Sequence, residues 1–210
     1  MLEPIFTDWN QAANRHITEE DVDSVRKAID AALLHRATEL AIESAFRFGR
    51  DLPVGAVTAN PSWITGRYYS GDNRLSWPQM HAETMAIIDS AYNRFVTTPP
   101  DTLIVTLEPC DNCQDFIANP NWYQDIKRVG FALPRVEVAE RELVKPHSET
   151  AIERVTRLGY GYEVFQVEDD QLQKAGRTIL DFVKRDLSTG AVVIDTDGLS
   201  EALTGLNINA

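Results

Sequence analysis

Two short motifs constrain this chain more than any other feature. His81 is followed two positions later by Glu83, and Pro109 is followed by the pair Cys110 and Cys113. Cysteines three positions apart lie about one helical turn from each other, so both thiolates can face one metal ion, and a distant histidine can supply a third ligand. Three protein ligands leave one coordination position of zinc open for water, which is typical of a catalytic site.

Other uses of the same residues have to be weighed. Cys110 and Cys113 are the only two cysteines of the chain, and they could be small buried hydrophobic residues, a redox pair or half of a structural zinc site. A closed structural site usually needs four protein ligands, and the sequence has no second cysteine pair. A redox pair would need neither His81 nor Glu83. Glu83 is best interpreted as a carboxylate beside the zinc-bound water that moves protons.

The sequence resembles those of the cytidine deaminase superfamily. The resemblance lies in the order and spacing of the two motifs and in the residues Thr106-Leu107-Glu108 before Pro109. The closest branch is that of guanine, cytosine and tRNA adenosine deaminases, and the resemblance runs from about residue 37 to about residue 183. It implies zinc as the cofactor, with His81, Cys110 and Cys113 as ligands and Glu83 as the catalytic residue. It also implies a hydrolase that replaces the amino group of a ring by oxygen and releases ammonia.

Three residues are candidates for substrate binding. In the family, the asparagine of a Gly-x-Asn turn before the histidine motif contacts the substrate, and Asn73 occupies that position here. Its amide offers a donor and an acceptor to the edge of a heterocycle, although a turn alone also favours asparagine. Trp77 stands where the family often has an Asp before Pro, and its ring could stack on a planar substrate or fill space under the loop. The resemblance further implies that the backbone near Ala82 and Cys110 helps to fix the substrate.

The alternation of strand and helix signals predicts a three-layer α/β/α fold with a mixed five-stranded sheet. The predicted strands are 52–57, 63–65, 101–107, 126–133 and 162–167. The first two flank a turn at Asn60-Pro61 and predict an antiparallel hairpin, whose glycine, Gly55, allows close backbone approach. Between the last two lies a helical stretch with Ser148 as its expected cap, and such a crossover predicts that the last strands are parallel.

The two ends of the chain are predicted to be additions to the zinc deaminase domain, which is placed at 37–185. The N-terminal extension, 1–36, is predicted to be helical from Thr18, which forms a cap with Asp21. One long helix, or two helices joined near residue 35, fits the recurrence of apolar positions. These positions include Val22, Val25 and Ile29.

The last predicted helix spans 169–185, and it is followed by a tail at 186–210. This tail is rich in Ser, Thr, Gly and Asp, with one apolar run at 192–194. Its composition favours flexibility. We expect the tail to pack across a neighbouring subunit or over the pocket.

Charge limits the partners that the chain can have. It carries 32 acidic and 20 basic residues, a formal net charge of -12, which repels polyanions unless a local basic face overcomes the field. A small heterocycle is therefore the expected substrate: guanine, cytosine, a nucleoside, an aminotriazine or a pterin. The alternatives are deamination of a flipped adenosine in tRNA and a non-catalytic zinc scaffold or partner subunit.

The sequence also allows predictions of the cellular location and the oligomeric state of the protein. It has no apolar run of about 18 residues and no secretory signal at its start, so we expect a cytoplasmic protein without a membrane partner. The resemblance to the family implies a homodimer.

Overall fold

The computed structural model describes residues 18–48, 51–60, 63–68, 81–92, 99–119, 125–144, 146–186, 189 and 191–206. These residues form seven strands and seven helices. The strands are β1 (Gly55–Asn60), β2 (Trp63–Tyr68), β3 (Thr102–Leu107), β4 (Arg128–Leu133), β5 (Glu163–Gln166), β6 (Val183–Arg185) and β7 (Val192–Ile194). The helices are α1 (Glu19–Phe48), α2 (Ala82–Tyr92), α3 (Asp111–Ile117), α4 (Arg135–Ala139), α5 (Ala151–Leu158), α6 (Asp170–Asp181) and α7 (Thr196–Thr204).

Five strands form one mixed sheet in the order β2-β1-β3-β4-β5. β1 pairs antiparallel with β2 and β3, whereas β3, β4 and β5 run parallel. The central strand β3 is buried at every position, as expected where helices cover both faces of a sheet. The predicted mixed sheet of five strands with parallel last strands is therefore confirmed.

Helices on the two faces of the sheet complete the three predicted layers. α1 packs on β1, β2 and β3 and contacts α6, while α2, α3 and α5 form the second helical layer. α1 is a single helix of 30 residues, so the two-helix alternative is wrong. Its start has the predicted cap, since Thr18 Oγ1 accepts the backbone N–H of Asp21 at 3.1 Å and the Asp21 carboxylate accepts that of Thr18 at 3.0 Å.

The approach of α1 to the sheet depends on Gly55. A Cβ at this position would lie 1.9 Å from the carbonyl oxygen of Ala37 and 2.8 Å from the backbone nitrogen of Ala41. Such distances are impossible between non-bonded atoms, so glycine is required where the helix crosses β1.

Val22, Val25 and Ile29, whose spacing helped to predict the helix, are 47, 60 and 53% exposed, because burial along α1 begins only at Asp30. Two details of the sequence prediction are wrong. The cap of α5 is Thr150 and not Ser148; its side chain accepts the backbone N–H of residue 153 at 3.2 Å. The last predicted helix, α6, ends at Asp181, because the following residues pair with β7 as an antiparallel hairpin.

Residues 191–206 are folded against the same chain. The apolar run at 192–194 forms β7, and α7 follows with Leu199 and Leu203 buried. α7 contacts α6. The division of the chain at residues 36 and 186 stays a prediction, although residue 36 lies inside α1. Among the described residues, no helix is both long and apolar enough to cross a membrane.

Candidate metal centre and substrate cleft

The two sequence motifs meet where two helices begin. His81 directly precedes α2, and its carbonyl accepts the N–H of Met85 at 2.9 Å. Cys110 directly precedes α3, and its carbonyl accepts the N–H of Gln114 at 2.9 Å. The unpaired N–H groups and the positive dipole at a helix start favour a thiolate over a thiol.

Three donor atoms converge in this region. His81 Nδ1 lies 3.4 Å from Cys110 Sγ and 3.2 Å from Cys113 Sγ, and the two sulfur atoms are 3.5 Å apart. Tetrahedral zinc with ordinary bond lengths would separate nitrogen from sulfur by about 3.5 Å and sulfur from sulfur by about 3.8 Å. The donor set therefore fits zinc after shifts of a few tenths of an ångström, and Nδ1 is the ring nitrogen that faces the thiols.

Protons are unevenly distributed over these donors. The hydrogen bond between the two thiols lowers the pKa of Cys110 and raises the pKa of Cys113. The hydrogen bond to Cys110 raises the pKa of His81, while burial and the charge of Arg135 act against this increase. A metal cation would favour the deprotonated form of all three groups.

Glu83 lies in the first turn of α2, in the wall of the same cleft as His81 and Cys110. Its side chain is buried, with 5% of the residue exposed. Burial raises the pKa of Glu83, and the nearby Cys110 adds to the increase, because a carboxylate is less stable away from water and near another negative charge. A carboxyl group with a raised pKa can both accept and return a proton near neutral pH.

The cleft beside the donor set has a volume of about 240 Å³. Ala82, the first residue of α2, is fully buried in its wall. Arg185 of β6 and Val192 of β7 also line it, so the C-terminal hairpin contributes to the pocket of its own chain. This matches the second of the two arrangements expected for the C-terminal part.

The sequence model of the family described as "Cytidine and deoxycytidylate deaminase zinc-binding region" matches residues 27–132, which are 106 of the 210 residues. The chain belongs to this zinc-binding deaminase family. The match includes His81, Glu83, Cys110 and Cys113. Zinc as the cofactor, predicted from the sequence, is confirmed by the family and fits the donor set.

Solved structures share the fold of this deaminase-family chain. RibD from Acinetobacter baumannii has a TM-score of 0.51 at 22% identity, over 74% of this chain and 40% of RibD. A variant of NE0047 in complex with 8-azaguanine has a TM-score of 0.51 at 18% identity, over 70% of this chain and 83% of that one. A search of curated protein sequences gave no match.

Glu108 is a residue of the deaminase-family site whose role the sequence did not reveal. Its buried carboxylate accepts the backbone N–H of Arg135 at 2.7 Å and that of Ala151 at 2.5 Å. One side chain thus accepts a hydrogen bond from the first backbone N–H group of α4 and from that of α5. The sequence contains the residue as a flank of the cysteine motif, but its partners are 27 and 43 positions away.

Hydrogen bonds and an ion pair hold the cysteine-bearing helix α3 in place. Gln114 Nε2 donates to the carbonyl of Pro109 at 2.9 Å, and the Tyr162 hydroxyl donates to the carbonyl of Gln114 at 3.1 Å. On α5, Arg154 forms an ion pair of 2.8 Å with Asp115. These contacts fix the loop and helix that carry both cysteines.

Two predicted substrate contacts of this deaminase-family chain, Asn73 and Trp77, fall outside the described residues. Their roles stay predictions.

Proposed function

We propose that this chain is a hydrolytic, zinc-dependent deaminase of a small aminated heterocycle. One observation carries the proposal: the buried carboxyl group of Glu83 and the His81, Cys110 and Cys113 donors line or border one cleft. A non-catalytic zinc scaffold would have no need for an acid or base in this position.

We assign zinc binding to His81 Nδ1, Cys110 Sγ and Cys113 Sγ. Zinc, when bound, supplies the Lewis acidity that makes water a nucleophile at neutral pH. Asn73, Trp77 and the backbone at Ala82 are the proposed contacts to the substrate.

The proposed catalytic residue is Glu83, which carries two protons in turn. Its carboxylate takes a proton from the attacking water and gives it to the ring nitrogen. It then takes the remaining proton from the hydroxyl group added to the ring carbon and gives it to the departing amine. The bond between the ring carbon and the amino nitrogen breaks, a carbonyl group forms at that carbon, and ammonia leaves. A single carboxyl group serves throughout because it alternates between base and acid.

The choice of a small substrate has two supports. The net charge of -12 disfavours a polyanion such as tRNA. NE0047, whose fold resembles that of this chain, holds 8-azaguanine, which is an aminated heterocycle. We further propose a cytoplasmic homodimer, as the sequence predicted.

The test is a screen for ammonia release by the zinc-loaded protein. The compounds are guanine, cytosine, adenine, their nucleosides, aminotriazines and pterins, and an assay for deamination of tRNA runs in parallel. We expect turnover of at least one small heterocycle that stops when zinc is chelated and returns when zinc is restored. Deamination of tRNA alone, weakening as salt rises, would favour the tRNA alternative. A zinc-loaded protein that turns over none of the compounds would favour the scaffold.

A further inference from the structure

The cleft contains two arginines that the proposed proton transfers do not use. Arg135 is the first residue of α4, and Arg185 lies on β6. Both residues line the cleft together with His81 and Glu83. Two different parts of the chain thus contribute an arginine to the wall of the same cleft.

Arg135 lacks the ion pair that two other half-buried arginines have. Its buried Nε has no hydrogen-bond partner, and no ion pair joins its guanidinium to any part of the chain that the structure describes. By contrast, the guanidinium groups of Arg128 and Arg154 each lie within 2.8 Å of an aspartate oxygen. A buried N–H group normally has a hydrogen-bond partner, so the Nε of Arg135 calls for an explanation.

None of the carboxylates that line the cleft is in ion-pair contact with Arg135. The two oxygens of Glu108 accept backbone N–H groups. Asp51, which also lines the cleft, is buried and has an interaction of its own, and Glu83 has the proposed role in proton transfer. The positive charge of Arg135 is therefore available to a ligand.

We infer that the cleft takes an aminated heterocycle that carries an anionic substituent, a phosphate ester or a carboxylate, which Arg135 binds with the help of Arg185. This inference rests on the proposed deaminase function and narrows its substrate class. A guanidinium group suits both anions because its planar set of N–H donors can bind two oxygens at once. The cleft volume of about 240 Å³ suits a ligand of this small size. Neutral guanine or cytosine would leave the arginine without a partner.

The first test measures binding and does not depend on turnover. Inorganic phosphate is titrated by calorimetry into the zinc-loaded protein, its Arg135→Gln variant and the control Arg36→Gln. Arg36 is exposed on α1 and is hydrogen-bonded to Glu39, so its substitution removes the same charge outside the cleft. We expect phosphate affinity to fall by about tenfold to a hundredfold in Arg135→Gln, as for the loss of a charge-assisted hydrogen bond, and to persist in Arg36→Gln. Equal affinity in all three proteins would overturn the inference.

The second test compares matched substrates. Each pair consists of a neutral amine and its anionic derivative: a nucleoside with its 5′-monophosphate, and a pterin with the same pterin carrying a carboxylate. We expect kcat/KM of the wild type to be about tenfold or more higher for the anionic member of one pair. A preference in the nucleoside pair identifies the anion as a phosphate, and a preference in the pterin pair identifies it as a carboxylate. Arg135→Gln should abolish this preference for the anionic substrate, Arg135→Lys should retain part of it, and Arg36→Gln should retain all of it.

The outcomes separate this inference from the proposed function. A ratio that is unchanged in Arg135→Gln, or a wild type that prefers neutral members of both pairs, would overturn the inference while deamination stands. If no compound releases ammonia, the proposed function fails, and the loss or persistence of phosphate binding in Arg135→Gln still decides whether Arg135 is an anion site.

Discussion

The carboxylate of Asp30 on α1 binds the guanidinium of Arg128 on β4 through two hydrogen bonds of 2.7 and 3.1 Å. Asp30 is the first buried residue of α1, and the Arg128 guanidinium lies 4.6 Å from the ring centroid of Phe165 on β5. The ion pair therefore joins the long helix to the two parallel strands at one edge of the sheet, which is where the burial of α1 begins.

Asp30→Asn should destabilise the protein by about 2 to 3 kcal/mol. The amide removes the negative charge and one acceptor, and it leaves Arg128 partly unpaired. Breaking a buried ion pair typically costs 3–5 kcal/mol, and the 22% exposure of the Arg128 side chain reduces this value. Urea unfolding measures the change. The control is Asp23→Asn, because Asp23 lies 3.8 Å from Arg26 on the surface and should contribute less than about 1 kcal/mol. Similar small losses in both variants would contradict a role for the pair.

Gly55→Ala should destabilise the fold by at least about 2 kcal/mol, because the added methyl group collides with the backbone of α1 at Ala37. The matched control is Gly161→Ala. A Cβ at Gly161 meets no atom within 4 Å, so this variant should be neutral or slightly more stable. Thermal unfolding of both variants checks the difference. Equal midpoints would mean that α1 can move away from β1 at little cost.

The parts of the fold that the sequence predicted depend on local or repeated signals. β3 contains the apolar run Leu103-Ile104-Val105, and the crossover through α5 fixes the direction of β5 relative to β4. The zinc ligands were predictable for the same reason: Cys110 and Cys113 lie one helical turn apart, and their chemistry admits few combinations with a histidine.

The parts that the sequence did not predict depend on contacts between distant residues. Helical spacing identified Val22 and Val25 as one face but could not tell that the sheet leaves this face uncovered. The three apolar residues of β7 form too short a run to indicate a strand, and their partner β6 was assigned to the preceding helix. Likewise, no local pattern shows that Glu108 serves two helices or that Arg135 has no counter-charge.

Glu108→Gln should destabilise the protein by about 1 to 3 kcal/mol. Glutamine has one acceptor oxygen where the carboxylate has two, and its NH₂ group would face a backbone N–H. We also expect faster hydrogen exchange at the amides of Arg135 and Ala151, which are the two donors to Glu108. Glu140→Gln, at an exposed position just after α4, is the control. Unchanged exchange at both amides would show that other acceptors can replace Glu108.

Cys113→Ala should bind zinc at least about a hundredfold more weakly than the wild type, because one of three protein ligands is lost; even changes to residues behind the ligands cost tenfold to a hundredfold. His81→Ala should behave in the same way. Elemental analysis after dialysis against a weak chelator measures the zinc retained per chain. His35→Ala is the control, since His35 is on the exposed surface of α1 beside Glu39. Full zinc retention by Cys113→Ala would contradict the assignment of the ligands.

Glu83→Gln should retain zinc and lose ammonia release by a factor of about 10² to 10⁴, the usual contribution of a positioned acid or base. Glutamine has the same shape but cannot carry the proton between water, ring nitrogen and leaving amine. Because Glu83 is buried, removing its charge should leave the stability unchanged or raised. Zinc content and unfolding of the variant thus separate catalysis from folding, and Glu43→Gln on the surface of α1 is the control. Normal turnover by Glu83→Gln would exclude this carboxyl group from the reaction, and the proton carrier would have to be another residue of the cleft.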